Sequence, residues 1–103
     1  MNSNKSQFEP SDLMADVRLY SVQDGGKARP ALPGYRCPLF TSKDISLGGW
    51  EAQMQLTDGP FEAGTERRVG FVFLTEQGAD AIRRAKRFYL WEGQFIGEAT
   101  VVG

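Results

Sequence analysis

Residues 25–40, GGKARPALPGYRCPLF, admit neither a helix nor an unbroken strand. Paired glycines open the segment, Pro30 and Pro33 remove backbone donors within it, and Gly34-Tyr35-Arg36 leads into an apolar run. Each feature asks for its own backbone geometry, so the segment is a shaped connection between two strands. That is too much punctuation for an idle linker. The connection is read as either the binding edge of a small β-barrel or its structural clasp.

The rest of the chain repeats the same rhythm. Residues 15–22, ADVRLYSV, set Val17 and Leu19 on one side of a period-two pattern and Arg18 and Tyr20 on the other. Residues 35–42 form a second run, in which Pro38 marks a bulge or an edge. Residues 50–57, WEAQMQLT, put Trp50, Ala52, Met54 and Leu56 on one face and Glu51, Gln53 and Gln55 on the other. Residues 66–74 align Val69, Phe71 and Phe73, with Gly70 marking a bulge or a close backbone approach.

From Thr75 the period changes to that of a helix of two to three turns, with Thr75 as N-cap and Ala79 and Ile82 at helical spacing. Residues 88–91, a Glu92-Gly93 turn and residues 94–102 then read as a closing hairpin. Six short strands with one helical excursion predict an all-β, six-stranded antiparallel closed barrel, because closure removes the edges such strands would expose. The domain is placed at residues 13–103, after a polar lead-in over 1–12 that is too poor in apolar residues to order itself.

Composition narrows the function. At 103 residues the chain can bury roughly two-thirds of its unfolded surface in one core. Lys+Arg number 12 against 13 Asp+Glu, a formal charge of -1, so no global field draws the protein to nucleic acid or anionic lipid. Histidine is absent, which removes the side chain most used for proton transfer and metal ligation near neutral pH. Cys37 stands alone, so neither an internal disulfide nor a zinc site is expected, and a reducing cytoplasmic setting follows. No run approaches the roughly 20 apolar residues that span a bilayer, so no membrane role is expected. These readings predict no cofactor and no enzyme.

Candidate binding residues lie in two places. Lys27, Arg29 and Arg36, with Tyr35 beside them, could hold a phosphate backbone or remain solvated loop charges, with Arg36 clasping a carboxylate such as Asp44. Arg83, Arg84, Lys86 and Arg87 form a secondary basic group toward the end of the helix, where positive charge already complements the dipole. The aromatics Phe88, Tyr89, Trp91 and Phe95 suit cross-strand packing better than base stacking, with Trp91 the exception most expected at the surface. Cys37 lacks a base to activate it and reads as a structural thiol, so an enzyme using it is the least favoured alternative.

The order of these features resembles the C-terminal β-barrel domain of translation elongation factors of the Tu/1A type. The resemblance rests on ADVRLYSVQDGGKARPALPGYRCPLF at one end and RFYLWEGQFIGEATVV at the other, covering residues 14–102, while the middle matches only in strand rhythm. It implies a six-stranded antiparallel barrel that meets a tRNA stem or a protein partner, and it places Lys27 at the family's basic position after the glycines. The next position, usually His in bacterial members, is Ala28, Cys37 is inserted before Pro38, and the GTPase domain has no counterpart. The resemblance therefore implies a stand-alone, non-catalytic binding domain. A protein partner is favoured, RNA backbone is the alternative, and self-association of an isolated barrel is a further expectation.

Overall fold

The computed structural model describes residues 10–103. Its strands are β1 (Leu13–Leu19), β2 (Arg36–Phe40), β3 (Trp50–Gln55), β4 (Glu66–Phe73), β5 (Arg87–Trp91) and β6 (Phe95–Val101), with one helix, α1 (Glu76–Ala85), between β4 and β5. Short 3₁₀ turns occupy Val22–Asp24 and Ile45–Leu47. The strands close in the order β1-β4-β3-β2-β5-β6, and every pair is antiparallel. The expected closed barrel is therefore the fold. Most of the expected lead-in lies outside the described residues. Asp12, at its end, is tied to β4: its N–H donates to the Phe71 carbonyl at 2.8 Å, and its carboxylate accepts from the Phe73 N–H at 2.8 Å.

Alternation fills the barrel. Ala15, Val17 and Leu19 of β1 point inward with Val69, Phe71 and Phe73 of β4, and Leu39, Met54, Phe88, Leu90 and Ile96 complete the core from the other strands. Phe71 and Phe88 meet edge to face at 5.4 Å, the arrangement their ring quadrupoles favour. Helix α1 buries Ala79 and Ile82 and packs against β3, β4 and β5. The Thr75 hydroxyl caps it by accepting from the Gly78 N–H at 3.1 Å. Gly78, unfavourable for helix propensity, is explained by packing: a Cβ there would lie 3.1 Å from the Trp50 Cβ.

Three local expectations gain detail. Gln53 lies on the same face as Glu51, as its period requires, but is buried, 8% exposed, and accepts from Arg36 at 3.2 Å. The register shift falls at Leu90/Trp91, whereas Gly70 serves close approach, since a Cβ there would stand 2.5 Å from the Gln55 Oε1. Pro38 keeps its place opposite Glu51 of β3 and lies just outside the two-residue pairing of β2 with β5, Leu39 to Leu90 and Phe40 to Tyr89. Its missing donor therefore falls where the ladder is already short.

A second aromatic cluster sits apart from the barrel core. Phe40, on the face of β2 opposite Leu39, meets Trp91 at 6.0 Å and Phe95 at 5.8 Å, and Phe95 meets Trp91 at 4.9 Å and Tyr89 at 6.0 Å. Phe88 alone of the four expected aromatics enters the core; Tyr89, Trp91 and Phe95 are half-buried. The connection after β2 comes down on Phe40 so closely that a Cβ at Gly49 would be 2.9 Å from its ring.

Candidate binding site at the first connection

The connection between β1 and β2 is fixed at several independent points. Gly25 takes φ 98° and ends the first 3₁₀ turn, while Gly26 is needed for a different reason. A Cβ at Gly26 would fall 1.9 Å from the Tyr20 carbonyl oxygen, so only glycine lets the loop fold back on the end of β1. Farther on, Ala31 and Phe61 exchange backbone hydrogen bonds of 2.9 and 2.8 Å, and both are fully buried. Leu32-Pro33-Gly34-Tyr35 then makes a turn closed by the Tyr35 N–H to the Leu32 carbonyl at 2.8 Å, with φ 90° at Gly34. Proline followed by a left-handed glycine is the residue order of a type II turn.

The closing hairpin holds this loop from the other side. The Tyr35 hydroxyl donates to the Glu92 carboxylate, and the Gln94 side-chain amide donates to the Gly25 carbonyl. Lys27 is folded inward, its side chain 9% exposed: the ammonium donates to the Arg29 carbonyl at 2.7 Å, lies 3.7 Å from Glu92 and stands 5.0 Å from the centre of the Tyr35 ring. Burial first, then the bond to Glu92, pushes the Tyr35 hydroxyl far above its ordinary value. Burial pushes the Cys37 thiol up to about 12, outweighing a hydrogen bond from the Trp91 backbone. Such a thiol stays protonated near neutral pH and is a poor nucleophile.

The outer surface of the loop forms an open groove of about 480 Å³, lined by Lys27, Arg29, Pro30, Leu32, Pro33 and Tyr35. Leu32 is 55% exposed on it. Arg29 is exposed and, among the described residues, has no ion-pair partner. Lys27, Arg29 and Tyr35 are thus brought together. Arg36 is not: it faces a separate recess with Glu51, Gln53, Val72 and Leu74. Its contact is Gln53, and the Asp44 carboxylate accepts from Ser46.

The secondary basic group also fails to converge. Arg83 pairs with Asp80 at 2.7 Å and donates to the Asp12 carbonyl at 2.8 Å, Arg87 lies 3.9 Å from Glu98, and Lys86 is the left-handed cap of α1 at φ 68°. Only Arg84 and Lys86 of this group, both exposed, lack an ion-pair partner among the described residues. The sequence reading missed Glu92, Gln94 and the apolar wall made by Pro30, Leu32 and Pro33. Glu92 carried a signal, the Glu-Gly turn, but nothing in a linear chain says which loop that turn will meet.

The geometry defines a closed antiparallel barrel with a braced loop at its surface. Comparison of the sequence with known protein families finds no match, and comparison with curated proteins finds no significant one. Among the described residues, no group of three or more His, Cys, Asp or Glu is placed to hold a metal ion. No helix among them is long and apolar enough to cross a membrane.

Proposed function

We propose that this chain is a non-catalytic binding domain of the elongation-factor C-terminal barrel type, and that its first connection contacts a protein. The observation that carries the reading is the state of the loop's charges. Lys27 is satisfied within the fold, Arg36 belongs to another recess, and the exposed groove is walled by proline and leucine. A phosphate backbone calls for several solvated cations in a row, whereas this groove presents one among the described residues, Arg29. An apolar wall with a single charged rim position suits a protein surface better.

The resemblance at the two ends of the chain supports the same reading. Residues 25–36 and the Glu92-Gly93 turn, which carry much of it, touch each other in the fold. A cytoplasmic setting belongs to this proposal and is supported by the single cysteine being buried and unpaired.

Affinity capture with the wild-type chain and an Arg29→Glu/Leu32→Ser variant tests it. Both positions are exposed, so the variant should fold, and it is expected to lose the captured protein. Equal capture by both would move the contact elsewhere. Tight binding of a tRNA-like stem that falls steeply with salt would replace the protein reading with the RNA one.

A further inference from the structure

We infer that the groove beside Arg29 takes an extended protein segment in which a carboxylate side chain lies next to an aliphatic one. The inference rests on the protein-binding reading above and specifies the chemistry of its partner. The Arg29 guanidinium, exposed and without an ion pair among the described residues, is the charge the groove has available. A planar guanidinium matches a carboxylate through two parallel hydrogen bonds, which fixes orientation as well as adding attraction. Lys27 cannot serve in its place, because its ammonium is already held by the Arg29 carbonyl and Glu92.

Beside Arg29, the wall of Pro30, Leu32 and Pro33 offers apolar surface to an aliphatic side chain. The two prolines carry no N–H, so a ligand gains little by adding itself as a strand along this loop. Recognition has to run through side chains. The loop is also set before binding: the Ala31–Phe61 bridge, the turn closed by Tyr35 and the ties to Glu92 and Gln94 leave little ordering entropy to lose. One guanidinium next to apolar surface is complementary to one carboxylate next to an aliphatic group, and poorly matched to the evenly spaced charges of a nucleic acid.

The test is selection of random peptides displayed on phage against the full chain, followed by binding of the enriched peptides in solution and mapping by amide chemical shifts. Enriched sequences are expected to place Asp or Glu beside Leu, Ile or Val. Their affinity is expected to fall about tenfold or more in Arg29→Glu, as for loss of a charge-assisted hydrogen bond. The same variant should gain affinity for peptides whose acid is replaced by Lys. Spectra of Arg29→Glu and Leu32→Ser report directly that the barrel is intact.

Enrichment without acidic preference, no enrichment at all, or binding by both variants as tight as by the wild type would overturn the inference. Peptides that bind but shift amides away from residues 27–35 would overturn the groove while leaving a protein-binding domain standing. Self-association seen by sedimentation and abolished by Leu32→Ser alone, with Arg29→Glu silent, would assign the groove to a second copy and overturn the carboxylate.

Discussion

The Tyr35 hydroxyl donates to the Glu92 carboxylate, joining the end of the long first connection to the turn of the last hairpin. Lys27 reaches the same carboxylate at 3.7 Å, so one acid braces both ends of the loop. Glu92→Ala and Tyr35→Phe should each lower stability by about 1 kcal/mol, the usual net value of a hydrogen bond. The double variant should lose less than the sum, because the two changes remove one shared interaction. Urea unfolding of all four chains measures this, and faster amide exchange over residues 25–35 should accompany it; strict additivity would show that the pair does not brace the loop.

Gly26→Ala should be far more damaging than Gly25→Ala, although the two are neighbours. A Cβ at Gly26 meets backbone, the Tyr20 oxygen at 1.9 Å, which cannot move without opening the end of β1, whereas a Cβ at Gly25 meets nothing within 4 Å and strains only its own φ of 98°. The expected losses are about 3 kcal/mol or more against about 1–2 kcal/mol. Thermal unfolding of the two variants decides the order.

The ends of α1 should respond in opposite directions. Thr75→Ala removes the oxygen that accepts from Gly78 and is expected to cost about 1 kcal/mol. Lys86→Gly relieves a left-handed residue at φ 68° and is expected to stabilise by up to about 1 kcal/mol, since the cap is made by the backbone N–H, which glycine keeps. Denaturant midpoints that moved the same way would refute the capping account.

Cys37 predicts part of the alkaline limb of stability. Its folded value of about 12 exceeds its ordinary 9.0, so above pH 9 the folded state binds more protons than the unfolded one. Its contribution is whole below pH 9 and is lost as pH rises toward 12. Tyr20, raised to about 12 by burial and then by its bond to Glu98, and Tyr35 add to the decline from about pH 10 upward. Cys37→Ala should therefore flatten the decline that begins near pH 9 and leave the steeper part above it. An unchanged slope there would mean that the thiol is not held protonated by burial.

Much of the barrel was legible because strand alternation is a local property. Val17, Met54, Val69 and Phe71 face inward as their period requires, and Thr75 starts the helix at the point where the period changes. Gln53 keeps its face in the pattern but is buried there, because Arg36 of the neighbouring strand supplies a partner, and a buried amide with a partner is tolerated. The candidate site was half legible. Lys27, Arg29 and Tyr35 were read together and lie together, whereas Arg36, next in sequence to Tyr35, leaves for another face because consecutive strand residues point to opposite sides.

By itself the sequence determined the strands, their turns and the inward faces, because backbone preference and side-chain period act over a few residues at a time. Only the tertiary structure decided that Glu92 would neutralise Lys27, that the Phe40 cluster would lie outside the main core, and that Arg29 would be left without an ion pair among the described residues. The reason is that charge compensation and aromatic packing depend on distance in space, and closing the barrel brings together residues that the chain keeps far apart.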